Sequence, residues 1–147
     1  MREDLRVSDK GMGDGGVGEK RVLSYSDPAE VGVPPRAEGT VVIRVPATSA
    51  NLGVGFDVMG LALDLWATFS FEPSEALEIR GCLPRYVNDR NLVWMAYRQA
   101  CELLDAPARP LSISIDSPLP LSGGLGSSST CVVAGVIAAL LFSGRPF

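Results

Sequence analysis

The chain has 147 residues, 46% hydrophobic and 20% charged, which is the composition of one ordinary folded domain. Its net charge of −4, with no basic stripe, excludes a nucleic-acid or anionic-membrane surface, because no cationic face meets phosphates. The absence of histidine removes the commonest general base and argues against a zinc site.

Residues 1–39 are polar, rich in glycine (Gly11, Gly13, Gly15, Gly16, Gly18) and carry Pro28, Pro34 and Pro35. Without an apolar period they are expected to be a disordered leader, with the folded domain over 40–147. The Gly11–Gly18 stretch has no strand before it and no helix after it, so it lacks the context of a phosphate loop. Order is expected to begin at the β-branched run Thr40–Val45, ended by Pro46, with a loop over 46–56. Val58–Leu65, Ala67–Phe71 and Ala76–Arg80 follow as strands. Asn91–Leu104 is an amphipathic helix: Val93, Ala96, Tyr97, Ala100, Cys101 and Leu104 recur at spacings of three and four, and Asp89 or Asn91 is placed to cap it. Leu111–Ile115 alternates as a half-buried strand. The order β-β-β-β-α-β-loop-α describes an α+β domain with helices on one face of a mixed sheet. Trp66 and Trp94 are expected in the core or on a sheet face.

Pro118-Leu-Pro-Leu-Ser-Gly-Gly-Leu-Gly-Ser-Ser-Ser-Thr130 then leads into the apolar stretch Cys131–Phe142. Gly123, Gly124 and Gly126 allow positive φ or close approach of a ligand to the backbone. Ser127, Ser128, Ser129 and Thr130 bring hydroxyls to the first turn of a helix, where unpaired N–H groups and the macrodipole favour an anion. No Gly-Lys-Ser/Thr follows the glycines, so this is not a Walker A loop. A plain Gly/Ser turn with a serine cap is the competing account. The helix itself is apolar on nearly every face and is expected to be buried. At twelve residues its apolar run is too short to span a bilayer.

The second block is Val45-Pro-Ala-Thr-Ser-Ala-Asn-Leu-Gly-Val-Gly-Phe-Asp-Val-Met-Gly-Leu-Ala-Leu63. In this order, with a strand–helix–strand interval between them, the two blocks resemble the GHMP kinases, and the Thr48–Asp57 word resembles the homoserine branch. The resemblance covers roughly residues 40–147. It implies the ribosomal-protein-like N-terminal ATP-binding domain of that family, with a left-handed β-α-β crossover, incomplete at its C-terminus and truncated before the C-terminal domain. ATP and Mg²⁺ are the implied cofactors and homoserine the implied substrate. Pro120, Leu121, Ser122, Gly123, Gly124, Leu125, Gly126, Ser127, Ser128 and Ser129 are then the nucleotide-binding residues, with the Ser127 hydroxyl a Mg²⁺ ligand. Asn51 and Asp57 line the amino-acid pocket, the carboxylate pairing with the substrate ammonium. On the residues alone, Asn51 and Asp57 equally close an Asx-type turn around Gly53 and Gly55. Asn88–Val93 resembles the family's helix start near the adenine pocket, which capping explains equally well.

The family's metal-binding glutamate and the groups that hold the substrate carboxylate are expected beyond Phe147, and Ser129-Thr130 stands where relatives carry small alanines. No general base is identifiable. The implied activity is phosphorylation of the homoserine hydroxyl on the route to threonine, by a protein that is a homodimer when full-length. The competing function is a non-catalytic remnant or binding module with at most weak nucleotide binding. Cys82, Cys101 and Cys131 are an odd number without Cys-x-x-Cys, and Cys101 and Cys131 fall on apolar helix stripes, which makes them small buried hydrophobes. With no secretory or transit signal at the N-terminus, the cytoplasm is the expected compartment.

Overall fold

The alternation along Val41–Ser49 (β2) decides the architecture: Val41, Ile43, Val45 and Ala47 are buried while Arg44 and Thr48 face solvent. A strand apolar on one face only needs cover on that face alone. The computed structural model describes residues 21–23, 36–50, 58–121 and 123–145, the first three by their backbone. In it β2 pairs antiparallel with Leu61–Pro73 (β3), which pairs antiparallel with Leu111–Asp116 (β5). Arg21–Leu23 (β1) lies parallel to β2 at one edge, and Glu78–Arg80 (β4) parallel to β5 at the other. The sheet order is β1-β2-β3-β5-β4. Ala67, Phe69 and Phe71 of β3, Leu111 and Ile113 of β5 and Ile79 of β4 continue the buried face.

Two helices cover that face. Leu92–Leu103 (α1) connects β4 to β5 and buries Val93, Trp94, Ala96, Tyr97, Ala100 and Cys101, as its spacing predicts. Ser127–Ser143 (α2) follows β5, lies across β2 and β3 and packs along α1. The two helices touch through small residues. A Cβ on Gly135 would stand 2.5 Å from the Val93 carbonyl oxygen and 2.8 Å from the Tyr97 nitrogen, so their backbones are in direct contact there. Tyr97 is fully buried, stacked on Trp94 at 5.5 Å and edge-on to Phe142 at 6.4 Å. Burial holds its phenol well above the usual tyrosine range, and its hydroxyl oxygen accepts from the Arg109 N–H. The mixed α+β domain with helices on one face is therefore present.

The elements differ from the sequence expectation in four places. Structure begins before Thr40: β1 adds to the sheet, and Arg36 and Ala37 strap the far end of α2. Ala37 is buried and its N–H donates to the Leu141 carbonyl at 2.9 Å, while Arg36 Nε donates to that of Phe142 at 3.0 Å. Pro46 does not end its strand. It sits where the β2–β3 register shifts, so that Ala47 alone opposes Leu63, Asp64 and Leu65, and a bulge tolerates a residue with no N–H to donate. The two strands expected at 58–65 and 67–71 are one. Trp66 continues β3 on the outer face, its indole N–H donating to Asp64 at 2.7 Å and its ring 5.1 Å from the Arg44 guanidinium. Finally, α2 is not covered all round. Val132, Val133 and Val136 are exposed, and an apolar groove of about 330 Å³ runs between α1 and α2, lined by Met95, Leu103, Val136 and Leu140 among others.

Candidate functional site

The loop 117–126 carries the chain from β5 to α2. Gly123 folds back onto Pro120, with a Cβ there lying 2.8 Å from the proline ring. Gly124 and Gly126 both adopt left-handed φ, 69° and 70°, which a side chain resists. Gly126 is the N-cap of α2, and no side chain caps that helix. The first helical bond is the Thr130 N–H to the Gly126 carbonyl, 2.9 Å. The first turn stands beside exposed Gly123, Gly124, Ser128 and Ser129, with Ser127 half-buried, and among the described residues no side chain caps it. Thr130 departs from expectation. It is buried and its hydroxyl donates back to the Ser127 carbonyl at 2.8 Å, so three hydroxyls, not four, remain at the open end. The loop is pinned from behind by β2, where the Thr48 N–H donates to the Leu125 carbonyl at 3.2 Å. Pro120 and Leu121 are exposed before the glycines; Ser122 lies outside the described residues.

An anion-bearing ligand fits this donor set. A polyphosphate needs close backbone approach and hydroxyls, and the glycines and serines of 123–129 offer both. Among the described residues no group of three or more His, Cys, Asp or Glu side chains is gathered for a metal. Ser127, the sequence candidate for Mg²⁺, stands half-buried at the first helical position of α2.

The acceptor-side candidates Asn51 and Asp57 lie outside the described residues. What the structure describes is how β2 delivers the chain to them: the strand ends at Ser49, beside the glycine loop. Asn88–Val93 forms the start of α1. Asn91 is buried, its side-chain oxygen accepts from the Val93 N–H at 3.0 Å, and its amide donates to the Tyr86 carbonyl at 3.0 Å. Asn91, not Asp89, is the cap.

The cysteines are all free thiols. Cys101 is buried as expected, whereas Cys131 is half-buried, and burial pushes the thiols of Cys82, Cys101 and Cys131 upward, which keeps them neutral. Among the described residues no helix is long and apolar enough to cross a membrane.

The residue that sequence reasoning missed is Thr48. By sequence Pro46 ends the strand, and nothing in the spacing brings position 48 against position 126. The signal available was the word Ala47-Thr48-Ser49, whose β-branched residue suits a strand continuing past the proline.

Residues 91–147 match the GHMP kinases N terminal domain. The chain is 41% identical over 100 residues to homoserine kinase of Clostridium botulinum (strain ATCC 19397 / Type A), covering 67% of this chain and 34% of that protein. It is 39% identical over 109 residues to homoserine kinase of Clostridium beijerinckii, covering 73% and 37%. The crystal structure of homoserine kinase from Cytophaga hutchinsonii superposes with a TM-score of 0.57 at 27% identity, covering 78% of this chain and 36% of that one. The chain spans about a third of the length of the curated relatives it matches. By sequence and by fold it belongs with the GHMP kinases, whose N-terminal domain it carries.

Proposed function

We propose that the loop 120–129 binds the phosphates of ATP, and that the protein to which this domain belongs transfers the terminal phosphoryl group to the hydroxyl of homoserine. The observation that carries the reading is the start of α2, which no side chain caps among the described residues and which follows a loop with two left-handed glycines. Phosphoryl transfer asks chiefly for positioning and charge neutralisation, which backbone donors and a helix dipole supply without a covalent step. Bound ATP supplies the transferable group. Gly123, Gly124, Leu125 and Gly126 would hold its phosphate oxygens through their N–H groups, Ser128 and Ser129 through hydroxyls, and Ser127 would share a Mg²⁺ ion with them. Asp57 would pair with the substrate ammonium and Asn51 would orient the amino acid; the identity to homoserine kinases supports this part. A cytoplasmic compartment and a homodimer for the full-length enzyme go with the reading.

Calorimetric titration of the chain with Mg²⁺-ATP is the test, repeated on Gly126→Val. The branched side chain meets a left-handed φ and the wall formed by Thr48, so the cradle is distorted and ATP affinity should be lost while circular dichroism stays native. Unchanged affinity in the folded variant would sink the assignment. Asp57→Asn, in a form of the protein that turns over, should weaken homoserine about 10- to 100-fold through loss of one charge-assisted bond.

A further inference from the structure

The last residues of β2 do more than lead into the acceptor segment. Beyond the bulge at Pro46, Thr48 donates its N–H to the Leu125 carbonyl at 3.2 Å. The next residue, Gly126, is seated against Thr48: a Cβ there would collide with the Thr48 hydroxyl and stand 3.0 Å from its carbonyl oxygen. A trans peptide is planar, and its C=O and N–H point in opposite directions. With the Leu125 carbonyl held toward β2, the N–H of the same peptide, that of Gly126, is turned away from β2. We propose that Thr48 is a positioning residue that orients the Leu125–Gly126 peptide, aiming the Gly126 N–H outward as a phosphate donor and tying the phosphate loop to the strand that precedes Asn51 and Asp57.

This rests on the nucleotide-binding reading for its function, but its geometry stands apart from it. The hydrogen bond joins residues 77 positions apart in sequence and links the two motif blocks directly. Its two parts are separable. The main-chain bond fixes the tilt of the peptide. The hydroxyl, against the Gly126 Cα, limits how far the left-handed turn can rock. An unanchored glycine pair would otherwise sample many orientations, which lowers the fraction of loops ready to accept an anion.

Three variants of the full chain decide the matter: Thr48→Pro, which removes the N–H donor, Thr48→Ala, which removes the hydroxyl, and Thr48→Ser, which retains both. Amide hydrogen exchange over 123–130 is measured without ligand, together with the thermal midpoint and the affinity for Mg²⁺-ATP. We expect Thr48→Ala and Thr48→Pro to speed exchange in 123–130 selectively. Thr48→Ala should weaken ATP about 5- to 10-fold by letting the left-handed turn at Gly126 rock, with its thermal midpoint unchanged, and Thr48→Ser should restore wild-type behaviour. If Thr48→Pro does not fold, Thr48→Ala carries the test. Unchanged exchange in the folded variants overturns the proposal, as does a Thr48→Ala defect that Thr48→Ser fails to restore. If the wild type binds no ATP, the nucleotide reading fails, and the exchange data still decide whether Thr48 positions the loop.

Discussion

The two helices of this domain begin in opposite ways. At α1 the start is closed: Asn91 is buried, its side chain takes the Val93 N–H, and its amide reaches back to Tyr86. At α2 the start is a glycine with no side chain to offer, preceded by exposed glycines and followed by exposed serines. Both helices have the same four orphan donors. At α1 a buried side chain takes one of them, the Val93 N–H; at α2, among the described residues, no side chain takes any. That contrast, more than the glycine content, supports the nucleotide-binding proposal for the second start.

The comparison presumes that the two helices move as one body, and Gly135 is where that is most easily broken. A methyl group at this position meets backbone on α1, at the Val93 oxygen and the Tyr97 nitrogen, and backbone cannot rotate out of the way. Gly135→Ala should therefore push the helices apart and destabilise the domain by about 1–3 kcal/mol, the usual range for overpacking. Chemical denaturation measures it. A neutral or stabilising alanine would mean that the helices are spaced more loosely than described.

Asn91→Ala is the next largest and addresses the closed end itself. Loss of the cap should lower stability by about 1–2 kcal/mol. The same variant should leave ATP affinity unaltered, since its side-chain hydrogen bonds are spent on Val93, Tyr86 and Cys82. A drop in affinity of several-fold at unchanged occupancy of the folded state would bring Asn88–Val93 into the nucleotide site and erase the contrast between the two helix starts.

How much of this was legible in the sequence follows from which forces are local. The stripe of α1 and its Asn91 cap depend on spacing along one helix, and the glycine–serine block on chemistry within thirteen residues, so both could be read directly. The strand at Arg21–Leu23 could not. It is three residues long, carries no period, and exists by pairing with Val41–Ile43. Continuation of β2 through Pro46 depended on a bulge opposite Leu63–Leu65, a property of the partner strand and not of the proline. The apolar surface of α2 predicted burial correctly for Ala134, Ala138, Leu141 and Phe142, but hydropathy cannot say which side a neighbour covers, and Val132, Val133 and Val136 are left exposed. At the candidate site, the glycine–serine loop was visible and its support from Thr48 was not, because that support is tertiary.

The smallest effect sharpens the contrast from the other end of α2. There the helix is closed again, this time by residues that composition assigned to a leader. Arg36 Nε donates to the Phe142 carbonyl and the Ala37 N–H to that of Leu141, so two terminal carbonyls are satisfied and a cation sits at the negative end of the dipole. Arg36→Ala removes one bond and the charge and should cost about 0.5–1 kcal/mol; Arg36→Lys, which keeps the charge, should recover part of it. The helix has 17 residues and is about 25 Å long, far enough that its first turn should not respond. Thermal midpoints of the three proteins give the stability difference, and titration with Mg²⁺-ATP gives the response of the far end. Equal affinity with a lowered midpoint fits a helix whose C-terminal closure is structural and whose N-terminal opening is functional. A matching fall in affinity would mean that the strap at Arg36 holds the loop in place along the length of α2, and that the two ends cannot be assigned separate tasks.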